Sequence, residues 1–214
     1  DGAVHGRAGS VANGADSGDR GHAHIFQGAI RVPPVHRISE GGLQQELLVV
    51  SLLNCQSPEE RKADLNAQQA ARRVAQTRYL ELVQRYGAEQ TSAVARELLD
   101  YTERRTRAAI AEMPDGVYAF EDLFDAPELD DELTLRVVVT VRGDELHFDF
   151  RGNPAQVRAS VNVVWTGLYA SVYYTVKTLI DPDIAPNAGL YRPVTIVADE
   201  GSILNCTAPA AVNG

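Results

Sequence analysis

Two histidines near the N-terminus have a spacing that suits a metal ion. His22 and His24 are separated by one residue, and on a strand both imidazole rings would point to one face. A protein metal site needs a third ligand, and no other residue is placed by its spacing to supply one. Because the pair also lies in a glycine-rich stretch, we interpret it as part of an exposed loop and predict no metal site in this chain.

Four positions in the C-terminal half are candidates for lining a substrate pocket. Asn162 begins an apolar stretch, so it is either the N-cap of a helix or a residue facing a pocket at the end of a sheet. Asn187 and Gly189 lie in a turn-forming cluster, which is sufficient to explain both residues. Arg192 could bind a carboxylate or a phosphate, and an exposed ion pair explains it equally well. Asp149, by contrast, is interpreted as the end of a strand.

The residues alone do not specify a reaction. The sequence contains no GxSxG, P-loop, GxGxxG or HExxH motif, which would identify a nucleophile, a phosphate site or a metal site. The net charge of -9 over 214 residues disfavours a nucleic-acid partner. Arginines are concentrated between Arg72 and Arg107, but acidic residues are interleaved with them, so we interpret this stretch as a solvated helical face.

Cysteine usage and hydropathy bear on the compartment. Cys55 and Cys206 form no CxxC motif, which is typical of free thiols in a reducing compartment and predicts a cytoplasmic location. The stretch Val161–Val176 carries no charge, yet its length and its polar residues fall short of a membrane span, which needs about 20 predominantly apolar residues. We therefore interpret it as a buried core helix and predict no membrane partner.

The N-terminal part of the chain is predicted to be poor in regular structure. Residues 1–24 are rich in Gly, Ala, Ser and Asp without a clear period, which favours a loop. Ile25–Ile38 contains Pro33-Pro34, which excludes a helix and a central strand, so we expect an extended segment at a sheet edge. Leu43–Leu53 is predicted to be a short amphipathic helix.

Two long helices follow in this interpretation. The run SPEE at residues 57–60 is a capping box, and apolar residues spaced by threes and fours continue to Gly87, where a left-handed residue would end the helix. A second helix is expected from Gln90 to Glu112. The two form a helical hairpin over about residues 57–113, and its alanine-rich face predicts that the helices pack closely.

The hydrophobic period changes to two in the second half of the chain. The alternation predicts a β-hairpin over about residues 133–151 that turns at Gly143-Asp144, with further strands at Val117–Phe124 and Pro193–Val197. The apolar helix between them covers about residues 161–180. This order of elements predicts the class α+β, with a mostly antiparallel sheet and a buried helix.

Several segments, taken in chain order, resemble the hydantoinase B/oxoprolinase family. They are IFQGAIRVPPV, SPEERKADLNAQQAARRVAQTRYLELVQRYG, LLDYTERRTRAAIAEMPDGVYAFEDLFD, VTVRGDELHFDFRGNPAQVRASVN and DPDIAPNAGLYRPVTIVADEGSILNCTAPAAV. The resemblance covers Ile25 to Val212 with few gaps, which is more specific than any single motif. The four candidate pocket residues lie within these segments, and the resemblance assigns no catalytic role to them.

The resemblance implies an enzyme that works in a complex. Members of the family act with a hydantoinase A-type partner, an actin-like ATPase, and use ATP to open cyclic amides such as hydantoins or 5-oxoproline. Relatives carboxylate acetone or acetophenone. The resemblance places ATP on the partner, and it places the metal-binding His and Asp residues of the carboxylase branch upstream of this chain. We therefore expect a hetero-oligomer and carry over no ligand for a divalent metal.

The two ends of the sequence suggest an internal portion of a larger subunit. The chain has no initiating Met and stops on Asn213-Gly214, a pair that normally turns into a following strand. The expected function is part of the B-type component of an ATP-dependent amidohydrolase. The alternatives are a component of an ATP-dependent ketone carboxylase and a non-catalytic truncated assembly module that keeps the helical hairpin for docking.

Overall fold

The computed structural model describes residues 38–39, 42–53, 57–125, 129 and 131–212. The predicted loop at 1–24, His22, His24 and Cys55 lie outside these residues, as does the extended segment up to residue 37. The chain divides into two compact units, which are described separately. The first comprises Asp1–Ala75, Val157–Asn162 and Ala208–Gly214, and the second comprises Gln76–Gln156 and Val163–Thr207.

The described residues form four α-helices and six strands. The helices are α1 (Gln45–Leu53), α2 (Pro58–Tyr86), α3 (Ala88–Ile110) and α4 (Trp165–Ile180), with a short 3-10 helix at Ala188–Tyr191. The strands are β1 (Ile38–Ser39), β2 (Gly42–Leu43), β3 (Gly116–Phe124), β4 (Leu133–Arg142), β5 (Glu145–Asp149) and β6 (Val194–Val197). β1 pairs with β2, and the other four strands form one sheet in the order β3-β4-β5-β6, in which only β5 and β6 are parallel. The predicted α+β class with a mostly antiparallel sheet is confirmed.

The predicted β-hairpin is present as β4 and β5. Arg142 pairs with Glu145 across the turn, and Gly143 has φ +60°, which glycine adopts without a steric penalty. Val141 pairs with Leu146 and both are buried. The period of two therefore identifies the core face of these strands correctly.

α4 packs its inner face on this sheet. Leu168, Val172 and Val176 recur at intervals of four residues, so they share one side of the helix and are buried together. They join the buried residues Ile110, Val141, Leu146, Val194 and Ile196 in one apolar cluster. Burying each large aliphatic side chain of this kind contributes about 2 kcal/mol, so the cluster is a main source of stability for the second unit.

The start of α4 differs from the prediction. The helix begins at Trp165 rather than at about residue 161, because the backbone of Val163 bonds to a later part of the chain. Its N–H donates to the carbonyl of Ile203 at 2.7 Å, and its carbonyl accepts from the N–H of Cys206 at 2.9 Å. These bonds occupy both the N–H and the carbonyl of Val163, so neither group is available to a helical turn.

α4 corresponds to the predicted buried helix, but only one of its faces is buried. Tyr174 and Leu179 lie on its outer face and are exposed. An apolar run without charges is thus divided between a core face and a solvent face. Within the described ranges, no helix is long and apolar enough to cross a membrane.

α2 and α3 are the two predicted long helices and are joined at Gly87. This residue has the positive φ that favours glycine, +83°, but its ψ of 154° lies outside the predicted left-handed helical conformation. The expected close packing of the alanine-rich face is wrong, because none of the 29 residues of α2, all of which the structure describes, is buried. A turn that lets two helices pack along each other uses about two to five residues, and one glycine is too short for that.

Four other helix and strand boundaries differ from the prediction by one or two residues. α1 begins at Gln45 rather than Leu43, because β2 takes Leu43 into its pairing with Ile38. α3 begins at Ala88, directly after the glycine that ends α2, and it ends at Ile110. β6 begins at Val194, one residue after the predicted start.

Candidate functional site

Three of the four candidate residues lie in one segment that packs against α3. Asn187, Gly189 and Arg192 belong to the 3-10 helix Ala188–Tyr191 or directly flank it, and this segment packs against α3 within the second unit. We refer to residues 187–192 as the docked segment. It contacts α3 through a side-chain amide, through a close approach of the two backbones and through an ion pair.

Asn187 fixes the docked segment through both ends of its amide. Its Oδ1 accepts from the N–H of Gly189 at 2.8 Å, which caps the 3-10 helix, and its Nδ2 donates to Thr102 Oγ1 at 2.8 Å. Thr102 is buried on the inner face of α3, one turn before Thr106, whose hydroxyl donates to the Thr102 carbonyl at 2.9 Å. The turn predicted at Asn187 is confirmed, and the bond to Thr102 adds a tertiary contact.

The backbone of Gly189 lies directly against the backbone of α3. A Cβ added at this position would lie 2.0 Å from the carbonyl oxygen of Leu99 and 2.9 Å from its carbonyl carbon. Both distances are shorter than any real Cβ contact, and neither atom can swing away as the end of a flexible side chain could. The turn explains why glycine is tolerated at position 189, and the close approach explains why it is required.

Arg192 forms an ion pair, one of its two predicted roles. Its Nη1 donates to Asp100 Oδ1 at 2.6 Å and to Glu103 Oε2 at 2.8 Å. Glu103 also accepts from Arg107 Nε at 2.9 Å, and Arg107 extends the network to the turn between β4 and β5. Arg192 and then Arg107 hold the pKa of Glu103 below its usual value by hydrogen bonding to its carboxylate. The guanidinium therefore binds carboxylates of α3 in this structure.

Replacing Arg192 with Ala is expected to lower the melting temperature by less than about 3 °C, because exposed ion pairs contribute little. The side chains of Arg192 and Asp100 are a little under half exposed, and that of Glu103 is about a quarter exposed. Thermal unfolding of the wild type and the variant in low salt and in 1 M NaCl is the measurement, and screening should remove the difference at high salt. A loss of about 10 °C that persists in high salt would contradict this assignment.

Asn162 lies in the first unit and connects two loop segments. Its Oδ1 accepts from the N–H of Val157 at 2.8 Å, and its Nδ2 donates towards the carbonyls of Val157, Ala159 and Ala211 at 2.8–2.9 Å. Asn162 is 3% exposed. The N-cap interpretation is wrong, because the N-cap of α4 is Val164. A role in lining a pocket stays a prediction.

Asp149 ends β5, as predicted, and binds Arg151. Its Oδ1 accepts from the backbone N–H of Arg151 at 2.9 Å, and its two oxygens accept from Nε and Nη2 of the same guanidinium. The hydrogen bond to Arg151 lowers the pKa of Asp149 to about 2. This ion pair is local, because it joins two residues at the end of β5 and makes no contact with another described helix or strand.

The low pKa predicts a pH-dependent contribution of Asp149 to stability. In the unfolded chain the carboxyl titrates near its ordinary value of about 3.9, so the pair stabilises fully above that pH and is lost as the pH falls towards 2. We expect Asp149→Asn to melt less than about 3 °C below the wild type at pH 7, because Arg151 is exposed. The difference in melting temperature should be constant from pH 7 to about pH 5 and should shrink as the pH falls towards 2. A difference that stays constant down to pH 2 would refute the assignment.

Two further predictions concerned a metal site and a free cysteine. Among the residues that the structure describes, no group of three or more His, Cys, Asp or Glu could hold a metal ion. His22 and His24 lie outside them, so the expectation for that pair stays a prediction. Cys206 is a free, half-buried thiol, and burial raises its pKa.

The local sequence predicts the turn in the docked segment but does not indicate the side of α3 against which this segment packs. Thr102, Thr106 and Ile110 recur every four residues and are all buried, so helical periodicity marks this face once threonine is counted with the apolar residues. The identity of their partners has no local signal. Asn162 is in the first unit and is not part of this cluster.

The chain belongs to the hydantoinase B/oxoprolinase family, whose sequence profile matches residues 9–214. It is 34% identical over 169 residues to the B component of a putative D-/L-hydantoinase of Pseudomonas sp. (strain NS671), covering 73% of this chain and 28% of the relative. It is 30% identical over 188 residues to the beta component of the caprolactamase of Pseudomonas jessenii, covering 87% of this chain and 32% of the relative. The predicted family is therefore confirmed, and the chain spans roughly a third of the length of these relatives.

Two solved structures share the fold. The crystal structure of the ATP-dependent caprolactamase from Pseudomonas jessenii matches with a TM-score of 0.80 and 28% identity, over 94% of this chain and 35% of that chain. A nucleotide-free acetone carboxylase structure matches with a TM-score of 0.82 and 16% identity, over 90% of this chain and 27% of that chain. At that identity the second likeness shows the fold alone.

Proposed function

We propose that this protein acts in the B-type component of an ATP-dependent amidohydrolase that opens hydantoin-like or 5-oxoproline-like cyclic amides. The observation that carries the proposal is the family match over residues 9–214. Identities of 34% and 30% to proteins named as components of a hydantoinase and a caprolactamase support it, because both names refer to cyclic amides.

ATP enters this proposal as a co-substrate. A ring amide is a poor electrophile, and phosphorylation of its oxygen would make the ring carbon more reactive towards water. Addition of one water and cleavage of the ring C–N bond, with a proton going to the nitrogen, would leave an acyl phosphate. A second water would hydrolyse the acyl phosphate, so a cyclic amide, ATP and two waters give the ring-opened acid, ADP and phosphate. Following the family resemblance, we assign ATP to a hydantoinase A-type, actin-like ATPase partner and expect a hetero-oligomer in the cytoplasm. The described residues do not fit a metal ion, so no step is assigned to a metal here.

The candidate residues act as positioning residues in this proposal. Asn187 and Gly189 hold the docked segment on α3, Arg192 closes it with an ion pair, and Asn162 ties two loop segments together. Each polar contact described for them is made to protein. Their substitution is therefore expected to lower kcat and stability together, and to change KM less.

The test is a substrate panel given to the protein co-purified with its A-type partner. Hydantoin, 5-oxoproline and caprolactam are each supplied with and without ATP, and acetone is supplied with bicarbonate and ATP. We expect ring-opened product from at least one cyclic amide, only with ATP. Carboxylation of acetone without ring opening would replace the proposal by the ketone carboxylase alternative. A complex that turns over none of the panel would favour the non-catalytic assembly module.

A further inference from the structure

α2 carries an apolar stripe that the described residues leave exposed. None of its 29 residues is buried, although it contains Tyr79, Leu82 and Tyr86, which are 53%, 47% and 46% exposed. Helices in folded proteins owe most of their stability to packing of an apolar face. A helix of this length with an uncovered apolar face therefore indicates a surface that packs against something else.

The spacing of these side chains suits another helix. Tyr79, Leu82 and Tyr86 are separated by three and four residues, the interval that places side chains along one seam of a coiled coil. We call these three residues the tyrosine stripe. Leu80 is equally exposed, at 49%, but projects from a different side of α2, about 120° from the centre of the stripe. It provides a matched control on the same helix.

The charges beside the stripe identify the kind of partner. Arg78 and Arg85 are one heptad apart and lie along one flank of it. Arg78 Nη1 donates to Glu81 Oε2 at 2.8 Å, but both side chains are exposed, so this pair contributes little and a partner's carboxylate can replace it. The guanidinium of Arg85 lies 5.0 Å from the ring centre of Tyr86. Between residues 65 and 86 the helix has four arginines and one acidic residue, Glu81, in a protein whose net charge is -9. This part of α2 is locally basic on an acidic chain.

We propose that the tyrosine stripe docks an amphipathic helix of a partner protein, whose own apolar seam is flanked by Asp and Glu. Acidic flanks would pair with Arg78 and Arg85, and the partner's apolar residues would cover Tyr79, Leu82 and Tyr86. A second copy of α2 fits poorly, because it would set arginines against arginines. The net charge of the chain opposes a nucleic acid. The proposal does not depend on the reaction proposed above.

The test uses the full chain and two synthetic helical peptides labelled for fluorescence anisotropy. Both carry Leu along one heptad seam, and the flanking positions are Glu in one peptide and Lys in the other. We expect the Glu peptide to bind at least about tenfold more tightly than the Lys peptide. Leu82→Glu should weaken binding of the Glu peptide by at least about tenfold, whereas Leu80→Glu should change it by less than about twofold.

Charge reversal gives an independent arm. The double variant Arg78→Glu, Arg85→Glu should prefer the Lys peptide, while Arg73→Glu, on the far side of the helix, should keep the preference of the wild type. Equal binding of the two peptides, or equal losses in Leu82→Glu and Leu80→Glu, would overturn the proposal. Tighter binding of a single-stranded RNA oligonucleotide than of the Glu peptide would overturn it as well. So would self-association of the wild type that Leu82→Glu abolishes.

Discussion

Replacing Gly189 with Ala is expected to lower the free energy of unfolding by about 3 kcal/mol or more, because the added methyl group overlaps the backbone of α3. The overlap is with the Leu99 carbonyl, at 2.0 Å from the Cβ position. Relief requires the docked segment to move away from α3. That movement would also stretch the bond from Asn187 to Thr102 and the ion pair of Arg192.

Gly143→Ala is the matched control for this prediction. Gly143 has φ +60°, so alanine is strained there, but no atom lies within 4 Å of the added Cβ. The control should therefore lose only about 1 kcal/mol, the usual cost of a positive φ in a residue other than glycine. Urea unfolding of the two variants and the wild type gives both free energies. Similar losses in the two variants would mean that Gly189 does not lie against α3 as described.

Asn162→Asp is expected to destabilise the protein by about 3 kcal/mol, although the side chain keeps its shape. The amide nitrogen that becomes an oxygen lies within 2.9 Å of three carbonyl oxygens, those of Val157, Ala159 and Ala211. An oxygen in this place turns attractive contacts into repulsive ones. Because Asn162 is buried, water cannot replace the lost donors.

Asn205→Asp makes the same chemical change at a weakly bonded position. Asn205 is half-buried, and its Nδ2 makes one long hydrogen bond of 3.5 Å to the carbonyl of Ala198. The loss there should be under about 1 kcal/mol. Chemical denaturation of both variants at pH 7 is the measurement. Equal losses would show that the three carbonyls around the Asn162 amide do not add to the free energy of unfolding.

The sheet was the most predictable part of the fold. Strands β4 and β5 alternate apolar and polar residues over most of their length, and Gly143-Asp144 fixes the register of the hairpin locally, so a short window of sequence contains the information. The start of α4 was not predictable in this way. Val163 reads as part of an apolar helix, and only its bonds to Ile203 and Cys206, some forty residues later, remove it from the helix.

The candidate site also combines features that local sequence predicts with features that depend on distant residues. The turn at Asn187 follows from its local sequence, and the ion pair of Arg192 was one of two open alternatives. Thr102, which receives the Asn187 amide, lies 85 residues earlier, and no local pattern connects the two. α2 shows the opposite case, since its amphipathic pattern predicts burial but does not say by what. An amphipathic pattern predicts that one face of a helix packs against another element. The tertiary or quaternary structure determines which element that is.

Whether ring opening requires both ATP and the A-type partner is tested by an omission experiment. The protein, its A-type partner, ATP and the cyclic amide that responds in the panel are combined, and each is then left out in turn while ring-opened acid and ADP are quantified. We expect the acid to form only when all four are present, with ADP formed alongside it. Ring opening by this protein without ATP or without the partner would contradict the proposed mechanism.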